Sequence, residues 1–170
     1  MRVAAHDPYL APADIEARGA TSVSFEALLE DSDHLIIQAP LTKETHLLIG
    51  EAELHRMKPA AVLVNTARGP IVSDAALHRA LTEGWIAGAG LDDIEAEPAK
   101  VRDWKPANPL FGLPNVVITP HAAYYSEESI ATVRDFAARE VVRVLTGAQP
   151  LSPVNASQLA GLGHSVTRRS

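Results

Sequence analysis

Short apolar runs punctuate this chain, and helical or loop segments separate them. Leu35-Ile36-Ile37, Ala61-Val62-Leu63-Val64, Ile86 to Leu91 and Val116-Val117-Ile118 each read as a buried strand. This alternation admits few folds. Near-continuous apolar strands are best buried in a parallel sheet with helices on both faces. Sheets of that kind place their ligands outside the carboxyl ends of the strands.

The intervening segments carry helix start and stop signals. Residues 2–6 read as a first strand ending at Asp7-Pro8. Pro12 suits the first turn of a short helix, and Gly19 suits its C-terminal cap. Thr21-Ser22-Val23 is a marginal strand, and Ser24 can cap a helix carrying Phe25, Leu28 and Leu29. Residues 51–57 read as a helix stopped by Pro59. Ser73 caps a helix with Ala76, Leu77, Ala80 and Leu81 on one face. A long helix runs from about Ser126 to Leu145, with Ile130, Val133, Phe136, Ala137, Val141 and Val144 recurring at three and four. Residues 98–115 read as an irregular excursion, and 156–170 as a loose, polar tail.

Composition excludes several function classes. The net charge of −6 and the lack of a basic stretch argue against direct nucleic-acid binding. Without cysteine there is no disulfide scaffold, thiolate zinc site or thiol nucleophile. The seven histidines are scattered and show no metal-ligand spacing. No apolar run is long enough to span a bilayer, so no membrane association is expected. No cleavable-signal pattern follows Met1-Arg2, and a cytoplasmic location is the default expectation.

Three residues in three strand-end settings stand out: Arg68 after Asn65-Thr66-Ala67, Glu97 after Leu91 to Ala96, and His121 after Thr119-Pro120. Successive strand ends of a parallel sheet meet at one edge, so a cation, a carboxylate and an imidazole can converge there. An Arg fork holds a carboxylate by two parallel hydrogen bonds, and Gly69 lets backbone or ligand come close. A carboxylate at Glu97 would fix the tautomer of His121 and raise its pKa, making the imidazole a general acid/base. Each residue also has a plainer reading, as a loop arginine, a solvated loop carboxylate or a packed histidine. Asp7 fits an acceptor for adenosine ribose hydroxyls, but an Asp-Pro pair also starts a turn. Asp92 is placed to contact a nicotinamide, whereas Glu95 reads as a solvated loop carboxylate. Tyr124 and Tyr125 suit either a pocket wall or packing at a helix start.

The chain resembles the cofactor-binding domain of the NAD-dependent D-2-hydroxyacid dehydrogenases. The segments that carry the resemblance are Val3 to Tyr9, Ala39-Pro40-Leu41-Thr42 with Thr45, Leu63 to Gly69, Gly90-Leu91-Asp92 through Glu97-Pro98, and Asn115 to Ala123. Within the family, Thr119 to Glu127 looks closest to the C-terminal binding protein branch, which usually has Trp where this chain has Tyr124. The resemblance implies an α/β, Rossmann-like, doubly wound parallel sheet. It implies NAD as cofactor and a 2-hydroxy or 2-keto acid as substrate. Catalytic roles would fall to Arg68, Glu97 and His121. Asp7, Ala39, Pro40, Thr45, Thr66, Ala67, Arg68, Asp92, His121 and Ala123 would line the NAD site.

The departures from the family pattern are as informative. None of the ten glycines forms a Gly-x-Gly-x-x-Gly turn. The expectation is therefore a partial sheet that lacks the first strand, the glycine turn, the first helix and the separate substrate domain. On this reading residues 1–155 are a truncated NAD-binding domain and 156–170 its flexible tail. Unpaired strand edges would then favour self-association, and a homodimer is possible. Two alternatives stand beside an oxidoreductase: a non-catalytic NAD(H)-responsive interaction module, and an inactive remnant.

Overall fold

The computed structural model describes residues 1–95 and 108–156. Strand β1 (Ala4–Ala5) is followed by α1 (Pro12–Glu16), β2 (Thr21–Ser22), α2 (Phe25–Asp31), β3 (His34–Ile37) and α3 (Glu51–Arg56). Then come β4 (Val62–Asn65), α4 (Asp74–Thr82), β5 (Gly88–Leu91), β6 (Val116–Ile118) and α5 (Glu127–Leu145). Short 3-10 turns at Gly69–Ile71 and Pro109–Gly112 complete the order.

Local chemistry sets the helix starts. The hydroxyl oxygens of Ser24 and Ser73 accept hydrogen bonds from the backbone N–H of Ala27 and Ala76, as their positions in the sequence predict, and Ser126 caps α5 in the same way by accepting from Ser129 N–H. Pro12 opens α1, and Gly19 sits beyond its end with φ +84°.

All strand pairs are parallel. β3, β4, β5 and β6 form a sheet in that order, with Ile37, Asn65, Leu91 and Ile118 level in one row across it. Leu35, Ile37, Leu63, Ala89 and Leu91 turn to the covered face, where they meet Leu29, Leu54, Leu77 and Leu81. Each large aliphatic side chain buried there contributes about 1.5–3 kcal/mol.

Two features bear on the expectations. First, among the described residues of Met1–Ala123, α3 and α4 pack together on one face of the four-stranded sheet. The crossovers from β3 to β4 and from β4 to β5 step the same way, and connections of one hand then put α3 and α4 on the same side. On the opposite side Ile36 is 59% exposed and Val117 67%. Second, the first strand is two residues long, not five. β1 and β2 form a separate parallel pair, and among the described residues neither β1 nor β3 has a second neighbour. A strand paired on one side only has half its ladder bonds to define it.

The first compact unit is Met1–Ala123, and a second begins at Tyr124. The second contains α5, which buries no residue, and Phe136, Val141, Val144 and Leu145 lie exposed along it. Arg139 pairs with Asp135 and Arg143 with Glu140 along its polar side, and Glu140 also accepts the N–H of Leu151 at 2.7 Å. Among the described residues no helix is long and apolar enough to cross a membrane. The tail from 157 onward lies outside the described residues.

Candidate active site

The row of strand ends continues one residue further as side-chain bonds. Gln38, just past β3, donates to the Thr66 hydroxyl beyond β4 at 3.1 Å. Asp92, past β5, accepts from the Thr119 hydroxyl beyond β6. Backbone bonds knit the same level: Asp92 N–H to the Asn65 carbonyl at 2.9 Å, and Thr119 N–H to the Leu91 carbonyl at 2.9 Å. The loops that leave this edge are therefore tied at their roots.

Arg68 leaves β4 through a turn shaped by Asn65. The Asn65 side chain accepts from Ala67 N–H at 3.0 Å and donates to the Arg68 carbonyl at 2.9 Å. The guanidinium is exposed, with Nη1 donating to the Ala67 carbonyl at 2.6 Å. Gly69 is required here, because a Cβ would lie 1.9 Å from the Ile94 carbonyl oxygen.

His121 sits on the turn after β6, half-buried, with φ +53°. A left-handed backbone at a non-glycine residue costs about 1–2 kcal/mol and persists only when its surroundings over-determine it. Asp92 supplies that determination. Its carbonyl accepts His121 N–H at 2.8 Å, and its carboxylate accepts Ala122 and Ala123 N–H, each at 2.8 Å. Burial of Asp92 works against ionisation. The Thr119 hydroxyl, then the Ala123 and Ala122 amides, then His121 outweigh it, and the carboxyl is held below the usual aspartate range.

The other cofactor-site residues fall as follows. Ala39, Pro40 and Thr45 lie in the loop after β3. That loop is folded on itself, with the Thr45 hydroxyl donating to the Pro40 carbonyl at 2.6 Å and accepting from Thr42 N–H at 2.7 Å. Thr66 is exposed and Ala67 half-buried at the end of β4. Asp7 is exposed beyond β1, and its Oδ1 accepts from Tyr9 N–H at 2.8 Å, which is the turn chemistry of the plainer reading. Asp92, which the sequence placed to contact a nicotinamide, has both carboxylate oxygens bonded to the turn that carries His121. Glu97, the expected partner of His121, lies outside the described residues. Tyr124 and Tyr125 belong to the second unit, where their rings meet edge-on with centroids 6.2 Å apart.

Sequence reasoning passed over Asn65 and Asp93. One signal was present for Asn65, which follows Leu63 at a spacing of two and so falls on the buried face of its strand. For Asp93, one acidic residue among several, no signal distinguished burial from exposure. Glu95 is exposed as expected, yet its carboxylate caps α4 by accepting Asp74 N–H at 3.1 Å.

A parallel α/β sheet whose strand ends present polar loop residues at one edge belongs to the doubly wound, ligand-binding class. Comparison with known sequences makes the class specific. The profile of the D-isomer specific 2-hydroxyacid dehydrogenase NAD-binding domain matches residues 1–123, and the chain belongs to that family. It is 46% identical to a glyoxylate reductase of Korarchaeum cryptofilum over 81% of this chain and 40% of the relative. It is 39% identical to a D-3-phosphoglycerate dehydrogenase of Archaeoglobus fulgidus over 91% of this chain and 28% of that one. Among solved structures, D-lactate dehydrogenase with NAD+ from Lactobacillus jensenii superposes with a TM-score of 0.81 at 32% identity, covering 90% of this chain and 48% of that one. The chain thus spans less than half the length of these relatives.

The family implies NAD, and the residues present fit part of it. Exposed Asp7 offers a ribose acceptor, and the row from Thr66 to Thr119 offers a polar strand-end edge. A glycine turn to cradle the pyrophosphate is not among these 170 residues.

Proposed function

We propose that this chain carries the catalytic side of an NAD(H)-dependent D-2-hydroxyacid dehydrogenase that reduces a small 2-keto acid, with glyoxylate as the leading candidate. The observation that carries the reading is the strand-end edge, where Arg68 and His121 leave alternate strands and Asp92 ties the level between them. The relatives named glyoxylate reductase add support for the substrate.

In this reading Arg68 binds the substrate carboxylate through its two-pronged fork and polarises the neighbouring keto oxygen. His121 gives its proton to that oxygen in reduction and takes it back in oxidation. Glu97 holds the imidazole in the required tautomer. Bound NADH supplies the hydride that the substrate carbon receives. Ala39 to Thr45, Thr66, Ala67 and Ala123 line the cofactor, and Asp7 binds the adenosine ribose and selects NAD over NADP.

A corepressor-like, NAD(H)-responsive module is the second reading. It is favoured by the run from Thr119 to Glu127, which also carries the finer placement in the C-terminal binding protein branch. Under that reading partner binding survives substitution of His121. A homodimer is consistent with the exposed apolar stripe of α5.

Calorimetric titration of the folded chain with NADH, followed by a glyoxylate reduction assay, tests the leading reading. Micromolar binding with turnover that His121→Ala lowers by at least about a hundredfold, at unchanged NADH affinity, is expected. Turnover indifferent to His121 overturns the assignment.

A further inference from the structure

Among the described residues only three polar or charged side chains are buried: Asn65 at 1% exposure, Asp92 at 4% and Asp93 at 6%. All three lie at the ends of β4 and β5. Two are consecutive carboxylates, and among the described residues no lysine or arginine pairs with either. A buried carboxylate without a cation is expensive unless hydrogen bonds satisfy it. Here the N–H groups of Gly69, Ala122, Ala123 and Ile94 and the Thr119 hydroxyl do so, and the first three belong to the two loops that bear Arg68 and His121.

The arrangement at Arg68 is specific. The Arg68 carbonyl and the Gly69 N–H are the two poles of one peptide group. Asn65 Nδ2 donates to the carbonyl at 2.9 Å, and Gly69 N–H donates to Asp93 Oδ2 at 3.0 Å. The second Asp93 oxygen accepts Ile94 N–H at 2.9 Å, which fixes the carboxylate itself. Both poles of the peptide are thus gripped by buried side chains from different strands. That grip sets the backbone dihedrals from which the Arg68 side chain projects. Gly69 permits it, because the Ile94 backbone occupies the space a Cβ would need.

Asp92, the adjacent residue, does the equivalent work on the opposite side. Its carboxylate takes the Ala122 and Ala123 amides, and its carbonyl takes that of His121. Two neighbouring residues at the end of β5 therefore reach in opposite directions, one to each loop.

Resting on the catalytic reading above, we propose that Asp93, together with Asn65, is a positioning residue that aims Arg68 at the substrate carboxylate. The Asp92-Asp93 pair then fixes the separation of the carboxylate-binding and proton-transferring groups through one short piece of backbone.

The test compares the full chain with Asp93→Ala and Asp93→Asn. Amide NMR reads the Gly69 proton shift and the relaxation of the Arg68 backbone and Nε, and neither depends on activity. Steady-state glyoxylate reduction reads KM and kcat, and calorimetry reads the NADH dissociation constant. In Asp93→Ala, the Gly69 proton should move upfield and Arg68 should gain motion. The KM for glyoxylate should rise about tenfold or more, with NADH affinity unchanged within about twofold. Asp93→Asn keeps one acceptor oxygen and should recover most of the KM; it also carries the comparison if the alanine variant does not fold. An unchanged KM overturns the proposal, and so does an equal loss of NADH affinity, which marks Asp93 as merely structural. If the unsubstituted chain neither binds NADH nor turns over, the catalytic reading of the isolated chain fails. The clamp is then decided by relaxation alone: unchanged Arg68 order in Asp93→Ala overturns it, and increased motion supports it.

Discussion

Two regions of the first compact unit are held together by different means. At the carboxyl ends of β4, β5 and β6, buried side chains reach past the last ladder bond and fasten the loops beyond. Around β1 and β3, each strand has one neighbour among the described residues, the side-chain bonds beyond the ladders (Gln38 to Thr66, His6 to the Val23 carbonyl) are exposed rather than buried, and Ile36 stays open to solvent. The difference separates two sources of order. Ladder pairing needs an adjacent strand. Side-chain clamps need only a short reach between loops already side by side. The strand-end edge can therefore hold its shape beside strands with a single neighbour.

Asp92→Ala should break this comparison most. It leaves the Ala122 and Ala123 amides and the Thr119 hydroxyl without their shared acceptor, at a cost of about 3–5 kcal/mol in urea denaturation. The same carboxyl gives the contrast a pH signature. Its folded pKa is depressed, so its stabilisation is present above the ordinary aspartate pKa and is lost as pH falls through the folded value. The wild-type stability curve should therefore drop below about pH 4 by an increment that Asp92→Asn lacks. Equal acid sensitivity in both would remove Asp92 from this role.

Gly69→Ala comes next. Its Cβ would meet the Ile94 backbone rather than a movable side chain, so the β4 and β5 loops must separate. A loss of about 2–3 kcal/mol is expected, with hydrogen exchange accelerated at residues 67–71 and unchanged in β3. The smallest effect belongs to the open side. Ile36→Ser should change stability by no more than about 0.5 kcal/mol, because the side chain is already solvated. A large loss there would mean that the face is covered in solution.

Much of this was legible in the sequence, for reasons that differ by element. Ser24 and Ser73 were readable as caps because capping depends on residues only three positions away. The strand runs at Leu35, Leu63 and Val116 were readable because short β-branched and aliphatic runs favour strands, although only alternate residues of β3 and β4 are buried and none of β6 is. The family motifs located Arg68 and His121, and the structure roots both loops on one edge. The clamps were only half readable. Asn65 carried the alternation signal of its strand, whereas Asp93 differs from any loop Asp only in what surrounds it, and tertiary packing decides that. The placement of Glu97 relative to His121 lies outside the described residues.

The positive φ of His121 bears on how substitutions at that site are read. Most replacements there alter two things at once, the imidazole and the comfort of the main chain. A scan of all side chains at position 121 would confound the two, scoring valine or isoleucine as ruinous for reasons unrelated to protons. Asparagine and glycine tolerate the left-handed region, so they are the informative controls. Activity lost in His121→Asn, with the fold intact, can be attributed to the missing imidazole alone.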